Sequence, residues 1–278
     1  AASDVYKRQG MRITCIQMDV AFARPEENFR QAEALVRQAA KTEQPDVILL
    51  PELWNTGFFP KEGLSGLADP EGRRTAALCG GLARELGVNL VAGSVACLRA
   101  GKLYNTAMAF DRQGSLVGSY DKTHLFSPME EDVYFQAGDH LSVFSLDGTP
   151  CGLLICYDLR FPELTRTLAL QGIQVLFLAA QWPVQRAGHL RLLYEARAVE
   201  NQMFVACCNA CGQDDAGTRF GGNSGLVDPW GTVLARAGEG PCFLSGDCDL
   251  SITAGIRAGI NVYTTINVQH LESLHDIV

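Results

Sequence analysis

Short apolar runs of strand length recur along this chain, and stretches of helical periodicity separate several of them. That alternation constrains the fold more than any other feature. The runs are RITCIQM, DVILLPE, NLVAGSV, NTAMAFD, CGLLICYD, IQVLFLAAQ, MFVACCN, SGLVDP and TVLARAG. Between them, ENFRQAEALVRQAAK places Phe29, Ala32, Val36 and Ala39 on one helical face, and GRRTAALCGGLAREL reads as a second amphipathic helix. A third, HLRLLYEARAVEN, is expected to turn Leu192, Leu193, Ala196 and Val199 inward. Strands alternating with helices predict an α/β fold whose helices cover its sheets. No Ser/Gly- or Pro-rich linker, low-complexity tract or short repeat interrupts the 278 residues, so one domain is expected.

The chain is 47% hydrophobic and 19% charged, which is ample material for a core. Its net charge of −8, with no Lys/Arg-rich stripe to offset it, argues against a nucleic-acid partner. No apolar run reaches about 18 residues, so no membrane span is expected. The opening AASDVYKRQG lacks the apolar centre of a signal peptide, and residues 1–10 read as an extension ahead of a first strand at Met11. Ten cysteines, mostly inside apolar runs, suit a reducing compartment rather than a disulfide framework and predict a cytoplasmic protein. CCNAC contains a CxxC at Cys208 and Cys211, beside Cys207. A zinc site would need a second pair that Cys242 and Cys248 do not supply. A redox pair would normally open a helix, whereas this one closes a strand-like run. Buried strand cysteines are the reading, with no metal and no cofactor.

Three chemical side chains stand at the tips of apolar runs. Cys156 ends CGLLI and is followed at once by Tyr157, Asp158 and Arg160. A free thiol is only a few per cent thiolate at pH 7, so a nucleophilic cysteine needs a base or a nearby cation. Glu52 follows DVILLP, where a carboxylate beside Pro51 can be held dry enough to serve as a base. Lys122, in SYDKTHLF, could supply the positive charge. Taken singly, Glu52 also reads as a solvated loop residue and Lys122 as a surface lysine. His124 reads as a residue satisfying local hydrogen bonds, with acid/base work the alternative. The sequence has no HExxH metal signature and no GxSxG elbow.

The combination says more than its parts. LLPELWNTGF, YDKTHLF and ICYDLRFPEL, in this order, resemble the three signature segments of the carbon–nitrogen hydrolase, or nitrilase, superfamily. The resemblance implies a catalytic triad of Glu52, Lys122 and Cys156, a supporting Glu131 from SPMEEDVYFQAGD, and an oxyanion donor in the backbone N–H of Tyr157. The stretch AAQWPVQRAGHLRLLYEARAVENQMFVACCN is similar to the family's pocket-lining and dimer-facing segment, with Trp182 and Arg186 as the expected substrate contacts. Arg160 is expected to brace the turn after the nucleophile by pairing with an acidic neighbour. GGNSGLVDPWGTVLARAGEG resembles a hairpin of the amidase branches. The implied fold is a four-layer α–β–β–α sandwich over residues 11–260, assembling as a homodimer.

Within the superfamily the likeness is to the omega-amidase branch. This implies hydrolysis of short dicarboxylic monoamides, such as 2-oxoglutaramate, through a cysteine thioester with release of ammonia. N-carbamoyl or aliphatic amide hydrolysis, or a silent binding or scaffold role, are the alternatives. Leu190 stands where close relatives often carry Trp, which loosens the substrate assignment. Residues 261–278 depart from the family's basic C-terminal segment, and GINVYTTINVQHLESL resembles part of bacterial potassium-sensing histidine kinases. A chimeric tail is one expectation, and a divergent tail whose VQHLESLHDIV forms a short amphipathic helix is the other.

Overall fold

The computed structural model describes residues 10–253, apart from 59 and 216. The expected extension before residue 10 and the tail over 261–278 lie outside the described residues. Strands β1 (Gly10–Gln17), β2 (Val47–Leu49), β3 (Asp69–Pro70), β4 (Asn89–Arg99), β5 (Lys102–Phe110) and β6 (Leu116–Asp121) belong to one sheet. The second holds β7 (Val143–Leu146), β8 (Thr149–Ile155), β9 (Val175–Ala180), β10 (Phe204–Asn209), β11 (Gly225–Val227) and β12 (Val233–Arg236). The last strand, β13 (Cys242–Asp249), returns to the first sheet. The orders are β13-β1-β2-β4-β5-β6, with the two-residue β3 added on β4, and β12-β11-β10-β9-β8-β7.

The helices are α1 (Pro25–Glu43), α2 (Leu64–Leu67), α3 (Arg73–Leu86), α4 (Glu131–Tyr134), α5 (Pro162–Leu170) and α6 (Ala187–Asn201). Pro25 at the first position, acidic Glu26 and Glu27 in the first turn and a left-handed Gln44 at the end define α1 in sequence. Its apolar stripe, Phe29, Ala32, Val36 and Ala39, packs with Ile48, Leu50, Leu90 and α3 side chains such as Leu82 and Ala83. A separate core joins Ile13, Cys15, Leu49 and Val91 of the first sheet to Leu153, Ile155, Leu178 and Val205 of the second, and reaches Leu168 of α5 and Tyr194 and Ala198 of α6. Helices, sheet, sheet and helices make four layers, the sandwich the resemblance implied. Both inner sheets are covered on two faces, which is why β2, β8, β9 and β10 read as unbroken apolar runs.

Besides the two-residue β3, three strands had no counterpart among the apolar runs: β6, β7 and β13. Each is a sheet edge. An edge strand is half solvated and carries polar residues accordingly, as LVGSYD, VFSL and CFLSGDCD do. The third helix also needs correction. Leu192 and Val199, expected inside, are 67% and 50% exposed, while Leu190, Tyr194, Arg197 and Ala198 are buried. Polar tips explain the shift in face. Arg197 donates from Nε and Nη2 to the Leu159 carbonyl at 3.1 and 2.8 Å, and Arg236 donates to the Tyr194 hydroxyl at 3.2 Å. Both side chains are therefore satisfied where apolar counting would place them outside.

Strands β1, β2 and β4 run parallel, as do β8, β9 and β10. The ends of β2, β6, β8 and β9 bring Glu52, Lys122, Cys156 and Gln181 to one end of the sandwich, where open α/β sheets generally present their sites.

Candidate active site

The first element of the site is a strained turn. Ile155 closes β8 in extended conformation, and Cys156 then takes φ +45°, a left-handed backbone that non-glycine residues rarely adopt. Such a residue costs about 1–3 kcal/mol and persists only where its surroundings enforce it. Here the enforcement is visible. The buried Asp158 carboxylate accepts from the Ile155 N–H at 3.1 Å, the Tyr120 hydroxyl at 2.9 Å and the His124 N–H at 2.9 Å, and lies 3.0 Å from His124 Nδ1. Arg197 holds the far side of the turn through the Leu159 carbonyl. The turn carrying the thiol is thus tied both to the Lys122 strand and to α6.

The second element is a fully buried charge cluster. Lys122 Nζ donates to Glu52 Oε1 at 2.9 Å and to both oxygens of Glu131, at 2.8 and 3.1 Å. Asn105 Nδ2 bridges the same two carboxylates, at 2.9 and 3.1 Å. The second oxygen of Glu52 accepts the Gln181 N–H at 2.8 Å, and the Phe126 N–H donates to Glu131 at 2.7 Å. Glu52, Lys122 and Glu131 have no exposed surface. Charges so far from water persist because each is paired and hydrogen-bonded.

Electrostatics follow from that count of charges. Burial works against the Lys122 ammonium, but Glu131 and Glu52 outweigh it and hold the lysine charged well above its ordinary range. Burial pushes the Cys156 thiol well up and the Glu52 charge adds to that, while Lys122 and the Gln181 N–H pull it back. The resting pair is therefore a neutral thiol beside a carboxylate, with a permanent cation alongside. That arrangement can transfer a proton to carboxylate as sulfur attacks, and can stabilise the negative charge that then develops.

Cys156 lines a cavity with mainly apolar walls, among them Phe58, Phe126, Tyr157, Trp182 and Phe220. Trp182 and Arg186 both line it. Arg160 does too, and here the expectation of an acidic partner is overturned. Its guanidinium lies 3.3 Å from His189 Nδ1 and 5.0 Å over the Trp182 ring, facing the cavity instead of bracing the turn. Asp158 and Arg197 do the bracing. His124 makes local contacts, bonded to Asp158 and stacked on Phe161 at 3.6 Å between centroids. Leu190 is buried in the core with Tyr194 and is not a wall of the cavity, so the departure there is one of packing.

Cys207 and Cys208 lie in β10 and Cys211 just beyond it, all three as free thiols; burial pushes Cys211 up to about 12 and Cys207 and Cys208 well above their ordinary values. Among the described residues no group of three or more His, Cys, Asp or Glu is placed to hold a metal ion. Sequence reasoning missed Asn105, Asp158, Gln181 and Arg197. Two carried a signal: Asn105 interrupts an apolar strand, and Gln181 ends one just as Cys156 and Glu52 do. A polar residue in a run that buries both faces must find partners there.

The profile of the carbon–nitrogen hydrolase family matches residues 12–258. A 2-oxoglutaramate amidase of Bacillus subtilis is 41% identical over 254 residues, covering 91% of this chain and 96% of that protein. Human omega-amidase NIT2 is 34% identical, with 91% and 93% covered. Among solved structures, Saccharomyces cerevisiae Nit3, of the nitrilase superfamily, superposes with a TM-score of 0.83 at 25% identity, over 91% and 94% of the two chains. A cysteine-to-alanine mutant of the amidase from Nesterenkonia sp. AN1, in complex with butyramide, gives 0.78 at 28% identity over 91% and 96%.

Proposed function

The chain belongs to the carbon–nitrogen hydrolase family, and from that premise we propose that it is an omega-amidase, releasing ammonia from the terminal amide of short dicarboxylic monoamides such as 2-oxoglutaramate. The observation that carries this reading is the cavity itself. A cysteine under the influence of a carboxylate and an ammonium faces an apolar space whose lining includes two arginines, Arg160 and Arg186. Apolar walls suit a short chain, and guanidinium groups among them suit a carboxylate on the substrate.

Glu52 takes the thiol proton as Cys156 Sγ attacks the amide carbon. The oxyanion accepts from Lys122 Nζ and from the Tyr157 N–H, donors of a kind typically worth about 3–4 kcal/mol each. Glu52 then protonates the nitrogen, ammonia departs and a thioester remains. A water activated by Glu52 cleaves that thioester to the acid. Glu131, with two hydrogen bonds to Lys122, keeps the ammonium aimed and charged.

The aliphatic-amide alternative draws on the apolar walls and on the butyramide-bound relative. Ammonia release separates the two, measured from 2-oxoglutaramate, 2-oxosuccinamate, butyramide, an N-carbamoyl amino acid and a nitrile, with Cys156→Ala as control. Turnover of the oxo-amides at a kcat/KM at least tenfold above butyramide, abolished by the mutation, supports the omega-amidase; the reverse order replaces it with an aliphatic amidase. Silence on every amide leaves the scaffold reading.

Two further assignments belong to the same proposal. The outward face of α6 presents exposed Leu192 and Val199, and the hairpin between β11 and β12 adds Trp230, 67% exposed, next to Gly231, which packs on Val199. We assign the homodimer contact to this face, and Leu192→Glu should yield a monomer in sedimentation. Ten free thiols suit a reducing compartment, and the cytoplasm is our assignment. Among the described residues no helix is long and apolar enough to cross a membrane.

A further inference from the structure

Gln181 closes the β9 end and touches Glu52 twice. Its N–H donates to Glu52 Oε2 at 2.8 Å, and its side-chain Nε2 donates to the Glu52 backbone carbonyl at 2.6 Å. A backbone carbonyl only accepts, so the amide orientation of Gln181 is forced and Oε1 occupies the opposite edge. That oxygen is buried and has no hydrogen-bond partner among the described residues. Gln181 itself is 1% exposed and lines the same cavity as Cys156. Asn105 Oδ1, in the charge cluster, is likewise unpartnered, but Asn105 is not among the cavity's walls. Buried acceptors in native proteins are paired in the large majority of cases, so an unpaired one at a substrate cavity marks where a ligand donor belongs.

Resting on the amidase reading above, we propose that Gln181 is a specificity-determining residue that recognises the scissile amide nitrogen. Glu52 must stand beside that nitrogen to protonate it, and Gln181 is the residue joined to Glu52 by two hydrogen bonds. An unsubstituted amide has two N–H groups, and Gln181 Oε1 accepts one of them. The bond strengthens as the nitrogen gains a proton and positive charge, so it favours the transition state over bound substrate. An ester or the product acid offers no N–H there, and its oxygen lone pairs face a carbonyl oxygen instead. The site thereby selects –NH2 over –OR and –OH on the same acyl chain.

The test compares the fastest amide of the panel with the methyl ester of the same acyl chain. Gln181→Met keeps length and volume while removing the acceptor. The amide's kcat/KM should fall roughly ten- to a hundredfold relative to the ester's, the range of one buried hydrogen bond. Gln181→Glu retains acceptor oxygens and loses the donor to the Glu52 carbonyl, so both rates should fall while the amide-to-ester ratio holds within about threefold. Affinities of both ligands for Cys156→Ala, with and without Gln181→Met, give the same comparison without turnover, with the amide again selectively weakened. Equal losses on amide and ester would overturn the inference and leave Gln181 a support for Glu52; an unchanged ratio with unchanged rates would overturn it too. The substrate reading fails separately, if the unmutated enzyme releases no ammonia from 2-oxoglutaramate.

Discussion

Cys156 and Cys208 are brought to the same end of one sheet by parallel strands that flank β9, yet their surroundings differ completely. Cys208 lies inside β10, and its thiol donates to the Ile16 carbonyl at 3.2 Å. Burial leads in raising its pKa, and the neighbouring Cys15 adds to it. Cys156 stands one residue beyond β8, on a left-handed turn that opens on the cavity. Burial raises its pKa as well, and Glu52 raises it further, with Lys122 opposing. A low resting pKa is therefore not what separates the reactive thiol from the inert one. The difference is a proton acceptor and a fixed cation within reach of Cys156, and a turn that shows its sulfur to a ligand.

The sharpest way to break this contrast is to delete each sulfur in turn. Cys156→Ala should cost at least roughly a thousandfold in ammonia release, whereas Cys208→Ala should stay within about twofold and lose about 1 kcal/mol in urea denaturation. Comparable catalytic losses from the two would erase the distinction. Next in size, Lys122→Arg should lower kcat by more than roughly a hundredfold, because a planar fork cannot replace a compact ammonium wedged between Glu52 and Glu131. Turnover like that of the unmutated enzyme would remove Lys122 from the chemistry.

Glu52→Gln should separate acidity from activity. Turnover should fall roughly a hundred- to ten-thousandfold with the loss of the base. The Cys156 pKa should move down, since the Glu52 charge raises it and Lys122 remains to lower it. The pH profile of iodoacetamide alkylation should accordingly shift to lower pH, with Cys208 unreactive throughout; a shift upward would contradict the charge balance described. The smallest effect expected is at the cavity wall. Arg160→Ala and Arg186→Ala should each raise KM about tenfold for carboxylated amides and leave butyramide unchanged, with Cys156 alkylation as before. Equal losses on butyramide would deny the arginines a carboxylate-binding role.

Sequence by itself determined the layered α/β plan, since apolar runs and the stripe of α1 report burial on faces that local periodicity sets. It also supplied Glu52, Lys122 and Cys156 as candidates, because a chemical side chain at the tip of an apolar run is a local anomaly, while Glu131 came only from the family resemblance of SPMEEDVYFQAGD. Only the tertiary structure decided what depends on partners distant in the chain. The edge strands β6, β7 and β13 form by pairing with an apolar neighbour and need little apolarity themselves. The inward face of α6 was decided by hydrogen bonds that make Arg197 and Tyr194 tolerable inside, and the position of Arg160 by His189 and Trp182 across the cavity. Asp158 shows the limit most plainly. Nothing within CYDLRF reveals that its carboxylate joins the nucleophile turn to Tyr120 and His124, because those donors come from another strand and loop some thirty or more residues away.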